Sequence, residues 1–188
     1  MRSIFKYIIT PDENRYNNVE KIGDSELIVN TEISNHKYVS RYGIVLETPV
    51  FGDSKIKVGD KVVVHHNVFR RFHDVFGKEK NSSNYFEEDK YFVFIDQIFM
   101  CMSNDGVWRP LDGYCFVEPV KEDEVFSINK EKLNTGVMLF ADKSLIDNGL
   151  KNGDKVGFTP HSEYEFIIDG KKTYRVLAKD VCVNYGDI

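Results

Sequence analysis

Ile56-Lys57-Val58-Gly59-Asp60-Lys61-Val62 returns later in the chain as Leu150-Lys151-Asn152-Gly153-Asp154-Lys155-Val156. The neighbouring segments repeat in the same order. Tyr42-Gly43-Ile44-Val45-Leu46 precedes the first copy and Thr135-Gly136-Val137-Met138-Leu139 the second. Asp96-Gln97-Ile98-Phe99-Met100 follows the first and Lys179-Asp180-Val181-Cys182-Val183 the second. A period of roughly 90 residues is too long for a solenoid and suits a small domain, so the chain reads as two copies of one domain.

The composition agrees with that size. A chain of 188 residues holds one domain or two small ones. Hydrophobic residues make up 41% and aromatics 13%, with 14 Phe and 10 Tyr. Aromatic and β-branched side chains fit a pleated surface and favour strands. A net charge of -5 argues against nucleic acid as a partner, since such binders carry a basic face. Cys101, Cys115 and Cys182 show no Cys-x-x-Cys spacing. They read as buried, reduced cysteines in apolar strands, which suggests a reducing compartment rather than a disulfide frame or zinc site. Met1 to Thr10 has no signal-peptide pattern, and no apolar stretch is long enough to cross a bilayer. The expectation is a cytoplasmic protein with no membrane partner.

Local patterns place the elements. Phe5 to Thr10 reads as a strand stopped by Pro11-Asp12. Glu13 to Lys37 is polar and Asn-rich around Leu27-Ile28-Val29, and reads as a long loop, mobile when free. Val39 to Glu47 is a strand, and Lys61-Val62-Val63-Val64 is a strand buried on both faces. His65 to Lys90 reads as an irregular charged insertion, followed by strands at Tyr91 to Ile95 and Ile98 to Met102. Trp108-Arg109-Pro110 reads as a link into the second unit. There, Tyr114 to Val117, Gly136 to Phe140, Lys155 to Thr159 and Val181 to Val183 are strands, with a short acidic loop from Lys121 to Asn134. Asp169-Gly170 between Glu165 to Ile168 and Thr173 to Leu177 is a hairpin signal. Helix signals are weak, and many short punctuated strands suggest small closed barrels. The expected fold class is all-β.

This ordered series resembles the GroES family, the small co-chaperonins that cap chaperonin rings. Ser25-Glu26-Leu27-Ile28-Val29-Asn30-Thr31 is similar to the apolar tripeptide of the family's mobile loop. Ser40 to Val45 is similar to the next strand, with Tyr42 intruding before the glycine. Lys57 to Val62 matches the Val-Lys-x-Gly-Asp-x-Val turn. Pro110 to Val117, Thr135 to Leu139, Lys151 to Val156 and Ala178 to Val183 repeat the series. The resemblance covers nearly the whole chain and implies two tandem GroES-like β-barrels. Residues 1–103 would form one, with a mobile loop over about 12–40 and an insertion over about 65–90 where the family has its roof hairpin. Residues 110–188 would form the second, with a shortened loop. Ordinary members have one unit, and tandem versions resemble plastid co-chaperonins. Large phages encode divergent ones, and the Asn/Lys/Ile-rich composition suits such a source, in which case the compartment is the host cytoplasm.

The resemblance also implies the partners. A GroEL-like chaperonin ring would bind Leu27, Ile28 and Val29, and the chain would be a homo-oligomer. In the second unit Val125, Phe126 and Ile128 are the nearest candidates for a secondary contact. On the residues alone, Leu27-Ile28-Val29 reads as a short strand docked on its own barrel; it is the resemblance that favours partner binding. That reading leaves open a virion or other assembly protein built from such barrels. No nucleophile elbow, P-loop or dinucleotide fingerprint is present, so neither catalytic residues nor a cofactor are expected. A zinc alcohol dehydrogenase shares the fold family, but its Cys/His ligand spacing is missing here. His65-His66 with His73 is the best metal-like cluster. Adjacent strand histidines point to opposite faces, so these read as polar loop residues and no metal is expected.

Overall fold

The computed structural model describes residues 2–17, 19–23, 25–28, 35–51, 55–121 and 131–186. It is all-β, with 50% strand and 9% helix. The chain divides into two compact units, Met1–Trp108 and Arg109–Ile188.

In chain order, the first ten strands are β1 (Tyr7–Pro11), β2 (Val19–Ile22), β3 (Ser25–Ile28), β4 (Tyr42–Glu47), β5 (Lys61–Val64), β6 (Arg71–His73), β7 (Glu79–Asn81), β8 (Tyr85–Glu87), β9 (Lys90–Val93) and β10 (Ile98–Met102). Strand β11 (Trp108–Pro110) follows. Then come β12 (Tyr114–Lys121), β13 (Glu131–Phe140), β14 (Lys155–Phe158), β15 (Tyr164–Ile168), β16 (Lys171–Leu177) and β17 (Val181–Gly186). A short helix, α1 (Lys143–Asp147), and three single turns of 3-10 helix complete the described elements.

The larger sheet runs β11-β10-β5-β4-β1-β9-β8 and the other runs β15-β16-β12-β13-β14-β17. Leaving β11 aside and reading one from its other end, the orders coincide strand for strand. Smaller features coincide too. Pairing shifts between Ile8 and Ile9 where β1 meets β4, and between Phe116 and Val117 where β12 meets β13. Phe99 is skipped between the pairs Ile98↔Val64 and Met100↔Val63, and Cys182 between Val181↔Phe158 and Val183↔Gly157.

The quoted Gly-Asp segments build one turn twice. Gly59 has φ 90° and Gly153 φ 100°, a region open to glycine and strained for other residues. The Gly59 N–H donates to Val45 O and the Gly153 N–H to Met138 O, both at 2.8 Å. Val45 and Met138 in turn donate to Asp60 O and Asp154 O, both at 2.9 Å. The carboxylates of Asp60 and Asp154, each in a residue only 4% exposed, accept from Lys57 N and Lys151 N at 2.9 and 3.0 Å. These bonds satisfy charges that burial would otherwise make costly.

Val62, Val63 and Val64 are fully buried, because β5 lies between β4 and β10 with both faces covered. In unit two Cys115, Val117, Met138, Val156 and Val176 form the core. The hairpin of β15 and β16 turns through Asp169 at φ 49° and Gly170 at φ 77°, as the Asp-Gly pair requires.

Several expectations change. The strands form open sheets, and no closed barrel is found among the described residues. Closure needs the two end strands of an order to pair, and here each end strand stays at its own edge. The segment from Glu13 to Lys37 contains the β2–β3 hairpin, and the insertion from His65 to Lys90 is built from β6, β7 and β8. Trp108-Arg109-Pro110 is a strand rather than a bare link. Strands β12 and β13 extend into what read as an acidic loop. Pro119 pairs with Gly136 beyond Val117↔Tyr174, where the pairing of β12 with β16 ends, so its missing N–H costs no bond to β16. Cys101 and Cys115 are buried, but Cys182, skipped by the pairing on an edge strand, is exposed.

Gly43 and Gly136 face the neighbouring strand without room for a side chain. An added Cβ would lie 2.9 Å from Ile9 Cδ1 at the first and 2.9 Å from Val117 Cβ at the second. Gly136→Ala is expected to cost about 1–3 kcal/mol through overpacking. Urea unfolding should report a lower midpoint with the slope unchanged; an unaltered midpoint would mean the strands part without strain.

Candidate functional site

The β2–β3 hairpin pairs Val19 with Ile28, Glu20 with Leu27, Lys21 with Glu26 and Ile22 with Ser25, around Gly23 at φ 62°. Leu27 is 52% exposed and Ile28 61%. Successive residues of a strand point to opposite faces. Both faces of β3 therefore open to solvent here, and neither residue belongs to the core. Val29, and in the second unit Val125, Phe126 and Ile128, lie outside the described residues.

The roots of this hairpin are tied together and to the body of unit one. Tyr16 bridges Val39, Asn17 N donates to Tyr38 O at 2.8 Å, and Ser40 N donates to Arg15 O at 3.0 Å. The Arg15 guanidinium donates to Phe69 O at 2.5 Å, Asn81 Oδ1 at 2.8 Å and Arg70 O at 3.3 Å, and lies over the Tyr91 ring. Burial pulls the Arg15 pKa below its ordinary value, opposed by Tyr91 and Tyr16. The Tyr16 hydroxyl accepts from Arg71 N at 2.6 Å. One arginine and one tyrosine thus bolt the foot of the β2–β3 hairpin to the foot of the β6–β7 hairpin.

The second hairpin carries an apolar tip that sequence reasoning missed. Val75 is 94% exposed and Phe76 is 90% exposed. The turn beneath them is firmly built: Asp74 Oδ1 accepts from Phe76 N at 3.0 Å and Lys78 N at 2.9 Å. Gly77 N donates to Asp74 O and Asp74 N to Lys78 O, both at 2.9 Å. Asp74-Val75-Phe76-Gly77 carried the signal, an Asp that caps its own turn followed by a glycine.

The histidines regroup. His65 and His66 lie just past β5, where the chain turns, so their rings stack at 4.3 Å instead of pointing apart. His36 joins them, 5.0 Å from His66, while His73 sits exposed on β6. Among the described residues no group of His, Cys, Asp or Glu is arranged to hold a metal ion. The Cys115 thiol is pushed up to about 11 by burial and accepts from Asp142 N at 3.4 Å, so it stays protonated at neutral pH.

In unit two the β12–β13 connection is anchored where it re-enters β13. Glu131 accepts from Lys172 at 2.9 Å and from the Tyr174 hydroxyl. Burial pushes the Glu131 carboxyl up, but the bonds from Tyr174 and Lys172 outweigh it and the net shift is downward. No family model and no characterised protein matches the sequence. What the described site offers is apolar surface held on hydrogen-bonded hairpins.

Two outcomes follow from this geometry. Leu27→Ser with Ile28→Ser should leave stability within about 0.5 kcal/mol, as expected for exposed positions; a larger loss on thermal unfolding would make them core residues. The Glu131 anchor has a folded pKa below its ordinary 4.5, so its contribution is present above that pH and lost as pH falls through the folded value. The pair is partly exposed and contributes less than about 1 kcal/mol. Lys172→Met should flatten the acid limb of a stability-against-pH curve; an unchanged limb would remove Lys172 from the anchor.

Proposed function

We propose that this protein is a co-chaperonin, a non-enzymatic GroES-like cap of two tandem barrel-type units that docks on a chaperonin ring through Leu27, Ile28 and Val29. The observation that carries this reading is the exposure of Leu27 and Ile28 on a hairpin anchored at its roots. The repeat of one strand order in two units supports the family reading, as does the ordered motif series.

The physical logic is reversible capture. Burying an apolar side chain of this size contributes about 1.5–3 kcal/mol before ordering costs. Three such residues per copy give a weak contact, because docking the segment offsets much of that gain. Several copies in a ring act together, so weak contacts become a firm lid that still releases when the ring changes state. Homo-oligomerisation is therefore part of the proposal, with the cytoplasm as the compartment.

A second reading, a virion or other assembly protein, is favoured by one observation. Strand β17 ends its sheet and exposes Val183 and Tyr185, an edge that another strand could extend.

Electron microscopy of the protein mixed with a chaperonin and nucleotide tests the proposal. Capped rings are expected with the native chain and lost with Leu27→Ser, Ile28→Ser and Val29→Ser combined, while the variant keeps its oligomeric state. Capping by the folded triple variant would assign the contact elsewhere. Absence of capping by the native chain, with filaments or closed shells instead, would favour assembly.

A further inference from the structure

We propose that His36, His65 and His66 form an acid-sensitive latch that holds the root of the β2–β3 hairpin against the body of unit one. The proposal concerns the hairpin's root, whatever the hairpin binds.

The three rings come from two parts of the chain. His36 opens the single helical turn His36–Tyr38, and His65 and His66 follow β5. His66 is sandwiched, 5.0 Å from the His36 ring and 4.3 Å from the His65 ring. Phe99 of β10 closes the far side, its ring 6.2 Å from His65. The turn that His36 begins is the one that ties the hairpin shut. Its Tyr38 carbonyl accepts from Asn17 N, and Val39 just beyond it bridges Tyr16.

This arrangement suits neutral imidazoles. His65 Nδ1 accepts from Asn67 N at 3.1 Å, which only an unprotonated nitrogen can do. The charges that pull the His66 pKa down include those of His65, Arg41, His36 and Arg70. Arg41 arrives just before β4 and Arg70 just before β6, so the stack faces guanidinium groups from two further elements. A proton on His66 adds a cation beside these groups. Burial, then His65, Arg41, His36 and Arg70, pull the His66 pKa from its ordinary 6.5 to about 3.

The sign follows from linkage. A histidine whose pKa is lowered in the closed state binds its proton in the open state first. The closed latch is fully favoured above pH 6.5 and loses ground as pH falls toward about 3. Opening grows by about tenfold per pH unit in that window through His66.

Amide hydrogen exchange on the full chain tests this at pH 7.5 and 5.5, with the intrinsic pH dependence of exchange removed. The Asn17 and Ser40 amides report the root; the Val45 and Gly59 amides report the sheet. Protection at Asn17 and Ser40 should fall about tenfold or more between the two pH values, while Val45 and Gly59 hold. In His36→Ala, at an exposed position, the root amides should show the low protection at both pH values. A root protection that follows the sheet amides at both pH values overturns the latch, and so does native protection in His36→Ala. If that variant loses protection at Val45 and Gly59 as well, ring-proton NMR of the native chain decides. His66 must then titrate below its ordinary 6.5, and titration at or above that value overturns the proposal.

Discussion

Each unit depends on a buried carboxylate at a glycine turn. Asp60 and Asp154 are charged groups inside an apolar sheet, a placement that is unfavourable unless hydrogen bonds replace water. The bonds come from the backbone of the same turn, three residues back, so the turn supplies its own compensation. In unit two Asn184 of β17 adds a bond to Asp154 at 2.9 Å, tying the turn to the sheet edge. Around each carboxylate, paired backbone bonds to Val45 or Met138 set the register of the incoming strand. A slip of one residue there would turn every side chain of that strand to the opposite face. The triple valine of β5 tolerates burial on both faces, but the alternating burial of its neighbour β4 does not, and so the turn carries the register between them.

Once that frame is set, the two units are free to differ in what they carry. Unit one supports two projecting hairpins, each with exposed apolar residues, while the corresponding stretches of unit two are shorter. Added loop length costs little entropy. Precise placement of the loop's ends needs specific bonds, and Arg15 and Tyr16 supply them. The guanidinium spans three acceptors on the foot of the second hairpin because its fork is planar and rigid, which a lysine could not match. The two hairpins consequently share a base.

The sheet edges differ in the same spirit. In the larger sheet β10 is flanked by β11, whose Trp108 is buried and lies 6.0 Å from the Tyr42 ring. In the other sheet the equivalent strand, β17, is the last in the order. Its residues from Cys182 to Tyr185 carry no charge to discourage pairing. Native proteins usually blunt such edges, and this one is left with valine, cysteine and tyrosine exposed.

The repeat, the all-β class, the buried valine strand and the Asp-Gly hairpin were legible because each rests on local chemistry. A glycine is needed where φ is positive, and three valines in a row suit a strand covered on both sides. The Gly-Asp segments were recognisable as equivalent for the same reason. Leu27 and Ile28 could be singled out as apolar residues in a polar stretch, but not assigned to core or solvent. That depends on what lies across from β3, which only the folded chain determines. The tip at Val75 and Phe76 escaped notice because charged neighbours masked a turn whose bonds run through a single aspartate. The histidine stack was not legible because the chain turns immediately after β5 and because His36 approaches from far along the sequence. The amino-acid sequence by itself determined most of the strands shared by the two repeats and the glycine turns between them, since their φ preferences and side-chain pattern are local, but not β2, β3, β6, β7, β8 or β11. Tertiary structure alone decided that the sheets stay open, that Arg15 bolts two hairpins together and that three histidines stack. Each of those depends on atoms brought together by pairing between distant strands.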